Sequence, residues 1–107
     1  MRRFGQMIGV KPDQTAAYER IHAAVWPEVL AMIHACNIRN YSIFRYEHQL
    51  FAYFEYIGDD FEADMARMAA DPKTQEWWTY TDPMQEPAAG RASGKWWATM
   101  KEVFHTD

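Results

Sequence analysis

The sequence predicts an α+β fold in which an antiparallel sheet carries helices on one of its faces. Segments that alternate apolar and polar residues occur near both ends and in the middle of the chain, and two segments with helical periodicity lie between them. The 107 residues contain no internal repeat and no stretch long enough to link two domains. We therefore expect a single domain spanning residues 1–107.

The first third of the chain predicts a strand followed by a long helix. Residues 4–10 have the alternation of a strand, and residues 14–36 have helical periodicity with Pro27 inside it. Proline lacks the backbone N–H and clashes with the carbonyl four residues earlier, so we expect a kink or break between Ala23 and Trp26.

The rest of the chain completes the order β-α-β-β-α-β. Two strands joined by a short hairpin link are predicted, then a helix capped by Asp59 or Asp60, a further short helical segment, a loop and a last strand. The two strands are predicted over residues 37–45 and 50–57, the helix over 61–70 and the short helical segment over 73–81. The loop is predicted over 83–94 and the last strand over 96–105. This order is that of the ferredoxin-like split βαβ fold, of the dimeric α/β barrel type.

The two middle strands carry bulky apolar residues on both faces. Strict alternation places Ile38 and Phe44 on one face of the first of them, and Tyr41 and Ile43 on the other. A sheet with water on one side would separate apolar from polar residues more cleanly. We therefore expect the face opposite the helices to meet a second copy of the chain or a ligand, and a homodimer through this open sheet face is predicted.

Composition excludes several functional classes. The net charge is −4 and the basic residues are scattered, which argues against nucleic-acid binding. No apolar run approaches the roughly 20 residues that a membrane span needs. Cys36 is the only cysteine, so no internal disulfide can form, and we expect a core thiol in a cytoplasmic protein. The histidines lack metal-ligand spacing and no Gly-rich phosphate or dinucleotide motif is present, so neither a metal nor a cofactor is expected.

The candidate catalytic residues lie on the predicted long helix. Tyr18, His22 and Trp26 recur every four residues, which places them one above the next on a helix. A histidine in such an aromatic row is either a core residue satisfied by a neighbour or a general acid/base in a pocket. Its ordinary pKa of about 6.5 allows it to give and take a proton at neutral pH.

Aromatic residues make up 16% of the sequence and include the adjacent pair Trp77-Trp78. Neighbours on a helix diverge by about 100°, so at least one of the two should line a cavity or an interface, and packing is the alternative for the pair. Tyr41 is either a pocket residue or an ordinary strand tyrosine. Aromatic walls with a few hydroxyl groups suit a compact ligand such as a deoxy sugar. Proton transfer at the anomeric centre of a sugar needs no metal or redox partner.

An ordered set of motifs resembles the L-rhamnose mutarotase family over essentially the whole chain. The motifs are Tyr18-x-x-x-His22, Val25-Trp26-Pro27-Glu28, Asn40-Tyr41-Ser42-Ile43, Trp77-Trp78 and Glu102-Val103-Phe104. The resemblance implies a dimeric ferredoxin-like fold and an isomerase that interconverts the α and β anomers of a 6-deoxy-hexose. It also implies that His22 is the catalytic proton donor and that the sugar is contacted by Tyr18, Tyr41, Trp77 and Trp78.

The chain departs from the family pattern over residues 83–95 and at Trp96-Trp97, so L-rhamnose, L-fucose and other deoxy sugars are all candidate substrates. In the expected mechanism, His22 protonates the ring oxygen while the anomeric hydroxyl loses a proton, and the ring opens to an aldehyde. His22 then acts as acid on opening and base on closing. The rival functions are a cofactor-free monooxygenase or haem-binding protein on the same dimeric scaffold, and a non-catalytic sugar-binding module.

Overall fold

A computed structural model describes residues 1–107 and contains an antiparallel five-stranded sheet with four α-helices. The elements are β1 (Arg2–Val10), α1 (Thr15–His22), α2 (Pro27–Ala35), β2 (Ile38–Tyr46), β3 (Gln49–Tyr56), α3 (Phe61–Ala70), α4 (Pro72–Thr81), β4 (Gln85–Glu86) and β5 (Ala98–Met100). Short 3-10 turns over Pro12–Gln14 and Asp82–Met84 precede α1 and β4. None of the helices combines the length and the apolar character needed to cross a membrane.

Strand β1 joins the two halves of the sheet. One of its edges pairs along almost the whole strand with β3, which in turn pairs with β2. Its other edge is divided between β5, at residues 5–7, and β4, at residues 9 and 10. The resulting order, β2-β3-β1 and then the last strands, confirms the predicted ferredoxin-like α+β fold.

The predicted break at Pro27 is confirmed. Helix α1 ends at His22, and α2 begins with Pro27, preceded by Trp26 in an extended conformation with φ −61° and ψ 135°. Proline suits the first helical position because the N–H that it lacks would be unpaired there, and it restricts the residue before it to extended backbone. The break leaves His22 in the last turn of α1 instead of in the middle of a long helix.

A bulge in β2 corrects the predicted faces of that strand. Asn40 and Tyr41 together lie opposite a single residue of β3, and Asn40 has a positive φ of 51°. The extra residue reverses the alternation beyond it, so Ile38 and Ile43 lie on the same face of the sheet. The strict alternation that separated them was wrong for this reason.

The last strand is shorter than the predicted range of 96–105. Only Ala98–Met100 forms a strand, because an alternating sequence becomes a strand only where a neighbouring strand takes up its backbone hydrogen bonds. Residues 101–107 are exposed and form no regular structure. An ion pair between Glu102 and Arg3, with an N···O distance of 3.0 Å, links this end of the chain to β1.

The core lies between the helices and one face of the sheet. One buried cluster joins Tyr18 of α1 to Ile8, Val10 and Leu50 of the sheet. A second consists of Ile38, Phe54 and Tyr56, with Phe61, Met65 and Met68 of α3 packed against it. The methionines of α3 are therefore core residues, as predicted, and so is Cys36, which is fully buried.

The opposite face of the sheet leaves large apolar side chains exposed. Phe44 and Tyr46 of β2 are 65% and 70% exposed, and Met100 of β5 is 40% exposed. Phe44 pairs with Phe51, which alternates with the buried residues of β3, so these side chains project away from the core. The apolar character predicted for this face is therefore present.

Candidate active site

The last turn of α1 stacks His22 on Tyr18. Residues four apart lie one above the other on a helix, and the two ring centroids are 4.0 Å apart with their planes inclined by 24°. Tyr18 is 4% exposed, whereas His22 is only partly buried. The stack therefore runs from the core toward the surface, with the imidazole at its outer end.

The backbone of α1 determines which nitrogen of His22 carries a proton. Nδ1 lies 2.8 Å from the carbonyl oxygen of Tyr18. A carbonyl oxygen can only accept a hydrogen bond, so Nδ1 donates its hydrogen there. In the neutral ring, Nε2 is consequently unprotonated and available as a base.

Burial lowers the pKa of His22 below its ordinary value of 6.5, and the hydrogen bond to the Tyr18 carbonyl opposes this effect only in part. At neutral pH the side chain is therefore mainly the neutral imidazole. In this form the ring takes a proton before it can give one.

Two tryptophans extend the aromatic group around His22. Trp77 of α4 meets the His22 ring edge-on with centroids 5.4 Å apart, and it meets Trp26 in the same way at 5.2 Å. Edge-to-face contacts are favourable because ring edges are electropositive and ring faces electronegative. Trp26 reaches this group from the start of α2, since α1 has already ended.

The adjacent tryptophans of α4 diverge, as predicted. Trp77 is 6% exposed and belongs to the aromatic group, whereas Trp78 is 37% exposed and makes none of these ring contacts. Asp71 anchors the start of the helix by accepting a hydrogen bond from the backbone N–H of Thr74 at 2.9 Å. Helix α4 therefore presents one indole to the core and the other to the surface.

His22 borders a cleft of about 280 Å³ between α1 and the sheet. The cleft is lined by Tyr18, Glu19, His22, Ala23, Ile43, Arg45 and Leu50. Glu19 and Arg45 form an ion pair and are both partly exposed. A concave site with an apolar wall and a few polar groups is typical of a small-molecule site.

Sequence reasoning missed Glu19 and Arg45. They are 26 residues apart, and no local pattern signals that α1 and β2 bring them together. Conversely, Tyr41, Trp77 and Trp78 do not line this cleft.

Tyr41 stands beside the site, on the bulge of β2. Its ring packs against Phe54 with centroids 5.6 Å apart, and 41% of the residue is exposed. The surrounding protein nevertheless desolvates its phenol and raises the pKa of Tyr41 to about 12. The charge that Tyr41 would carry if ionised also raises the pKa of Tyr18, so the two phenols lie within electrostatic reach of each other.

A buried amide lies against the Tyr18 hydroxyl, and sequence reasoning missed it too. Gln85, 5% exposed, donates through Nε2 to the hydroxyl oxygen of Tyr18 at 3.3 Å. The indole Nε1–H of Trp96 donates to Oε1 of the same amide at 2.7 Å. Burial raises the pKa of Tyr18, and the bond from Gln85 only partly opposes this, so the phenol stays protonated at neutral pH.

A larger cavity of about 330 Å³ lies elsewhere, around Gly9, His48 and Glu86. It contains neither His22 nor any of the aromatic side chains described above. No three His, Cys, Asp or Glu side chains lie close enough together to hold a metal ion. The smaller cleft is therefore the one that brings a base and a phenol together.

The chain matches known proteins over nearly its whole length. A sequence model of the L-rhamnose mutarotase family matches residues 3–106. The chain is 34% identical to an L-rhamnose mutarotase of Oceanobacillus iheyensis and 35% identical to one of Opitutus terrae, with 100% of both chains covered in each case. It is also 34% identical to an L-fucose mutarotase of Xanthomonas campestris pv. campestris, over 97% of this chain and 87% of that protein.

Solved structures share the fold. The crystal structure of an L-rhamnose mutarotase from Formosa agariphila has a TM-score of 0.79 at 21% identity, with 100% of both chains covered. Tetracenomycin F2 cyclase, a type-II polyketide cyclase from Streptomyces glaucescens, has a TM-score of 0.65 at 17% identity, with 99% and 96% covered. At these identities the likeness concerns the fold alone. The family match and the full-length relatives show that the chain belongs to the L-rhamnose mutarotase family.

Proposed function

We propose that the chain is an isomerase that interconverts the α and β anomers of L-rhamnose or of a closely related 6-deoxy-hexose. The main support for the proposal is the tautomer and position of His22. Its Nδ1 is held by the Tyr18 carbonyl, and its ring borders a cleft. The relatives named L-rhamnose mutarotase and L-fucose mutarotase support this class of substrate.

In the proposed mechanism, Nε2 of neutral His22 takes the proton of the anomeric hydroxyl while the bond between C1 and the ring oxygen breaks. The ring oxygen gains a proton from the hydroxyl of Tyr18, the tyrosine whose ring stacks on His22. The open-chain aldehyde rotates about its C1–C2 bond. The same transfers in reverse then close the ring on the other face of the carbonyl and restore both side chains.

The lowered pKa of His22 favours this order of events. The expectation from the sequence, acid on opening, needs the imidazolium form, which is the minor form at neutral pH. We therefore propose base on opening and acid on closing. Since the two directions are the reverse of each other, both forms of His22 still occur in every cycle.

The walls of the cleft suit a deoxy sugar. Glu19 and Arg45 offer an acceptor and donors for hydroxyl groups, while Ile43 and Leu50 offer an apolar surface for the methyl group. Tyr41 and Trp78 remain proposed sugar contacts beside the cleft. Trp77 is proposed to act through its contact with the His22 ring.

The proposal is tested by anomer exchange across a panel of L-rhamnose, L-fucose and L-lyxose, measured by saturation-transfer NMR. General acid–base catalysis contributes about 10²–10⁴-fold, so we expect acceleration of that order for one of the deoxy sugars. L-lyxose should react more slowly because it is L-rhamnose without the methyl group. An exchange rate equal to that of buffer for all three sugars would overturn the proposal.

The rival functions give different results in the same set of measurements. A sugar-binding module would bind a deoxy sugar without accelerating its anomer exchange. A monooxygenase would consume oxygen with a quinol, and a haem-binding protein would take up haem with a visible absorption band. The unprotonated Nε2 of His22 favours the mutarotase, because binding alone needs no base.

We further propose a homodimer formed through the open sheet face and a cytoplasmic location. Exposed apolar side chains grouped on one surface commonly mark an interface, and Phe44 and Tyr46 lie on this one. Cys36 is a free, buried thiol, as is usual in a reducing compartment.

A further inference from the structure

We infer that Gln85 and Trp96 are positioning residues that set the direction of the Tyr18 hydroxyl proton. Gln85 belongs to β4, 67 residues after Tyr18, and Trp96 lies just before β5. The inference rests on the mutarotase activity proposed for this cleft, because that activity gives the proton a sugar oxygen to meet.

Trp96 determines which way round the Gln85 amide lies. An indole N–H can only donate, so the amide atom 2.7 Å from Trp96 Nε1 is the carbonyl oxygen. The other end of the amide, 3.3 Å from the Tyr18 hydroxyl, is then the NH₂ group. The two ends of an amide are usually hard to tell apart, but here the donor on Trp96 assigns them.

The amide in turn determines the direction of the phenolic hydrogen. An NH₂ group can only donate, so the Tyr18 oxygen is the acceptor and its own hydrogen points away from Gln85. The hydroxyl of Tyr18 forms no other side-chain hydrogen bond, and Tyr18 is part of the cleft wall. In the proposed mechanism, this hydrogen is the one that passes to the ring oxygen of the sugar.

Burial strengthens the hydrogen bond between Gln85 and the Tyr18 hydroxyl. Tyr18 and Gln85 are 4% and 5% exposed, so little water competes for their hydrogen bond, which is stronger in a medium of low polarity. Trp96, in contrast, is 41% exposed, so burial of its ring does not explain its position. The segment that follows β4, residues 87–95, brings this indole back to the amide.

The direct test is Gln85→Glu, measured as kcat/KM for anomer exchange. The carboxylate keeps an acceptor for Trp96 but turns a second acceptor toward Tyr18, which draws the phenolic hydrogen away from the cleft. We expect a loss of about tenfold or more at pH 8, where the carboxylate is ionised. The ratio to wild type should recover as the pH falls and the carboxyl group regains a proton that it can donate. Gln75→Glu, at an exposed amide of α4, is the matched control and should keep the wild-type rate.

A double-mutant cycle with Tyr18→Phe separates positioning from a structural effect. If Gln85 acts through the Tyr18 hydroxyl, adding Gln85→Glu to Tyr18→Phe should cause no further loss. Multiplicative losses from the two changes would overturn the inference.

Trp96→Phe is the second variant, and it leaves Gln85 in place should Gln85→Glu fail to fold. Without the indole donor the amide can lie either way round, so we expect a loss of at least about twofold. Trp97→Phe is the control, because Trp97 packs against the same core cluster as Tyr18 without a side-chain hydrogen bond to Gln85. Equal rates for Trp96→Phe and Trp97→Phe would contradict the inference.

A spectroscopic measurement distinguishes failure of this inference from failure of the proposed function. The ¹³Cζ resonance of Tyr18, assigned with Tyr18→Phe, reports whether the hydroxyl accepts or donates. It should shift in Gln85→Glu and stay in place in Gln75→Glu, whether or not the wild-type protein accelerates anomer exchange. An unchanged resonance in a folded Gln85→Glu protein overturns the inference.

Discussion

His22 differs from a surface histidine in two ways that decide its chemistry. Its Nδ1 hydrogen is held by a backbone carbonyl 2.8 Å away, which leaves Nε2 unprotonated and makes it the proposed base. Burial also lowers its pKa, which keeps that base unprotonated near neutral pH. The position of His22 beside Tyr18 could be predicted from their four-residue spacing. Its tautomer could not, because the hydrogen bond depends on the rotation of the ring.

The first prediction concerns pH. Protonation of His22 occupies the lone pair of Nε2, and its pKa is lowered below 6.5, so kcat/KM should fall on acidification with a midpoint below pH 6.5. Anomer exchange measured between about pH 5 and pH 8, corrected for the uncatalysed rate, checks this. A midpoint above pH 6.5, or a rate that rises on acidification, is incompatible with the proposed base.

The second prediction separates packing from binding at the adjacent tryptophans. Trp77 is buried, so Trp77→Ala should lower the free energy of unfolding by about 3–5 kcal/mol. Trp78 is exposed enough that Trp78→Ala should change it by less than about 1 kcal/mol, while raising KM for the sugar. Denaturant unfolding and kinetics on both variants provide the comparison. Unchanged KM in Trp78→Ala would remove this residue from the proposed site.

At the scale of elements, local chemistry predicted the break at Pro27 but not the length of the last strand. Pro27 predicted where α1 gives way to α2, because a proline's missing N–H acts within one turn. The bulge at Asn40 and Tyr41 was not predictable in the same way. It depends on how β2 and β3 pair, and an alternating sequence does not reveal an extra residue.

The third prediction concerns the start of α3. The sequence left Asp59 and Asp60 as alternative caps, and the structure assigns the role to Asp60, which accepts a hydrogen bond from the Ala63 N–H at 3.1 Å. Asp60→Ala should therefore cost about 1 kcal/mol of unfolding free energy. Asp59→Ala is the neighbouring control and should stay within about 0.5 kcal/mol of wild type. Equal effects of the two changes in chemical denaturation would contradict the assignment.

At the scale of the whole molecule, the sheet determines both the site and the exposed surface. One face holds the core and the cleft, and the other presents Phe44 and Tyr46 to the outside. Patterning predicted the fold because the order of strands and helices leaves few topologies. It could not predict contacts such as Gln85 with Tyr18, because these join distant segments and depend on side-chain orientation.

The fourth prediction tests the open sheet face as a dimer interface. Phe44→Glu places a charge on a side chain that is 65% exposed in the single chain, so it should convert the proposed dimer to monomer. Leu30→Glu, on a residue of α2 that is 53% exposed, is the control and should leave the dimer intact. The sedimentation coefficients of the two variants show whether each is a dimer or a monomer. A dimer that persists in Phe44→Glu, or wild-type protein that sediments as a monomer, would refute the proposed interface.

The most direct test of the central claim is the rate of L-rhamnose anomer exchange in His22→Ala, compared with wild type and with His34→Ala, an exposed histidine of α2. Removal of the proposed base should lower the rate by about 10²–10⁴-fold, toward that of buffer, while His34→Ala keeps the wild-type rate. Saturation-transfer NMR measures all three proteins under one condition. A His22→Ala protein that is folded and exchanges anomers as fast as wild type would contradict the proposed catalytic role of this imidazole.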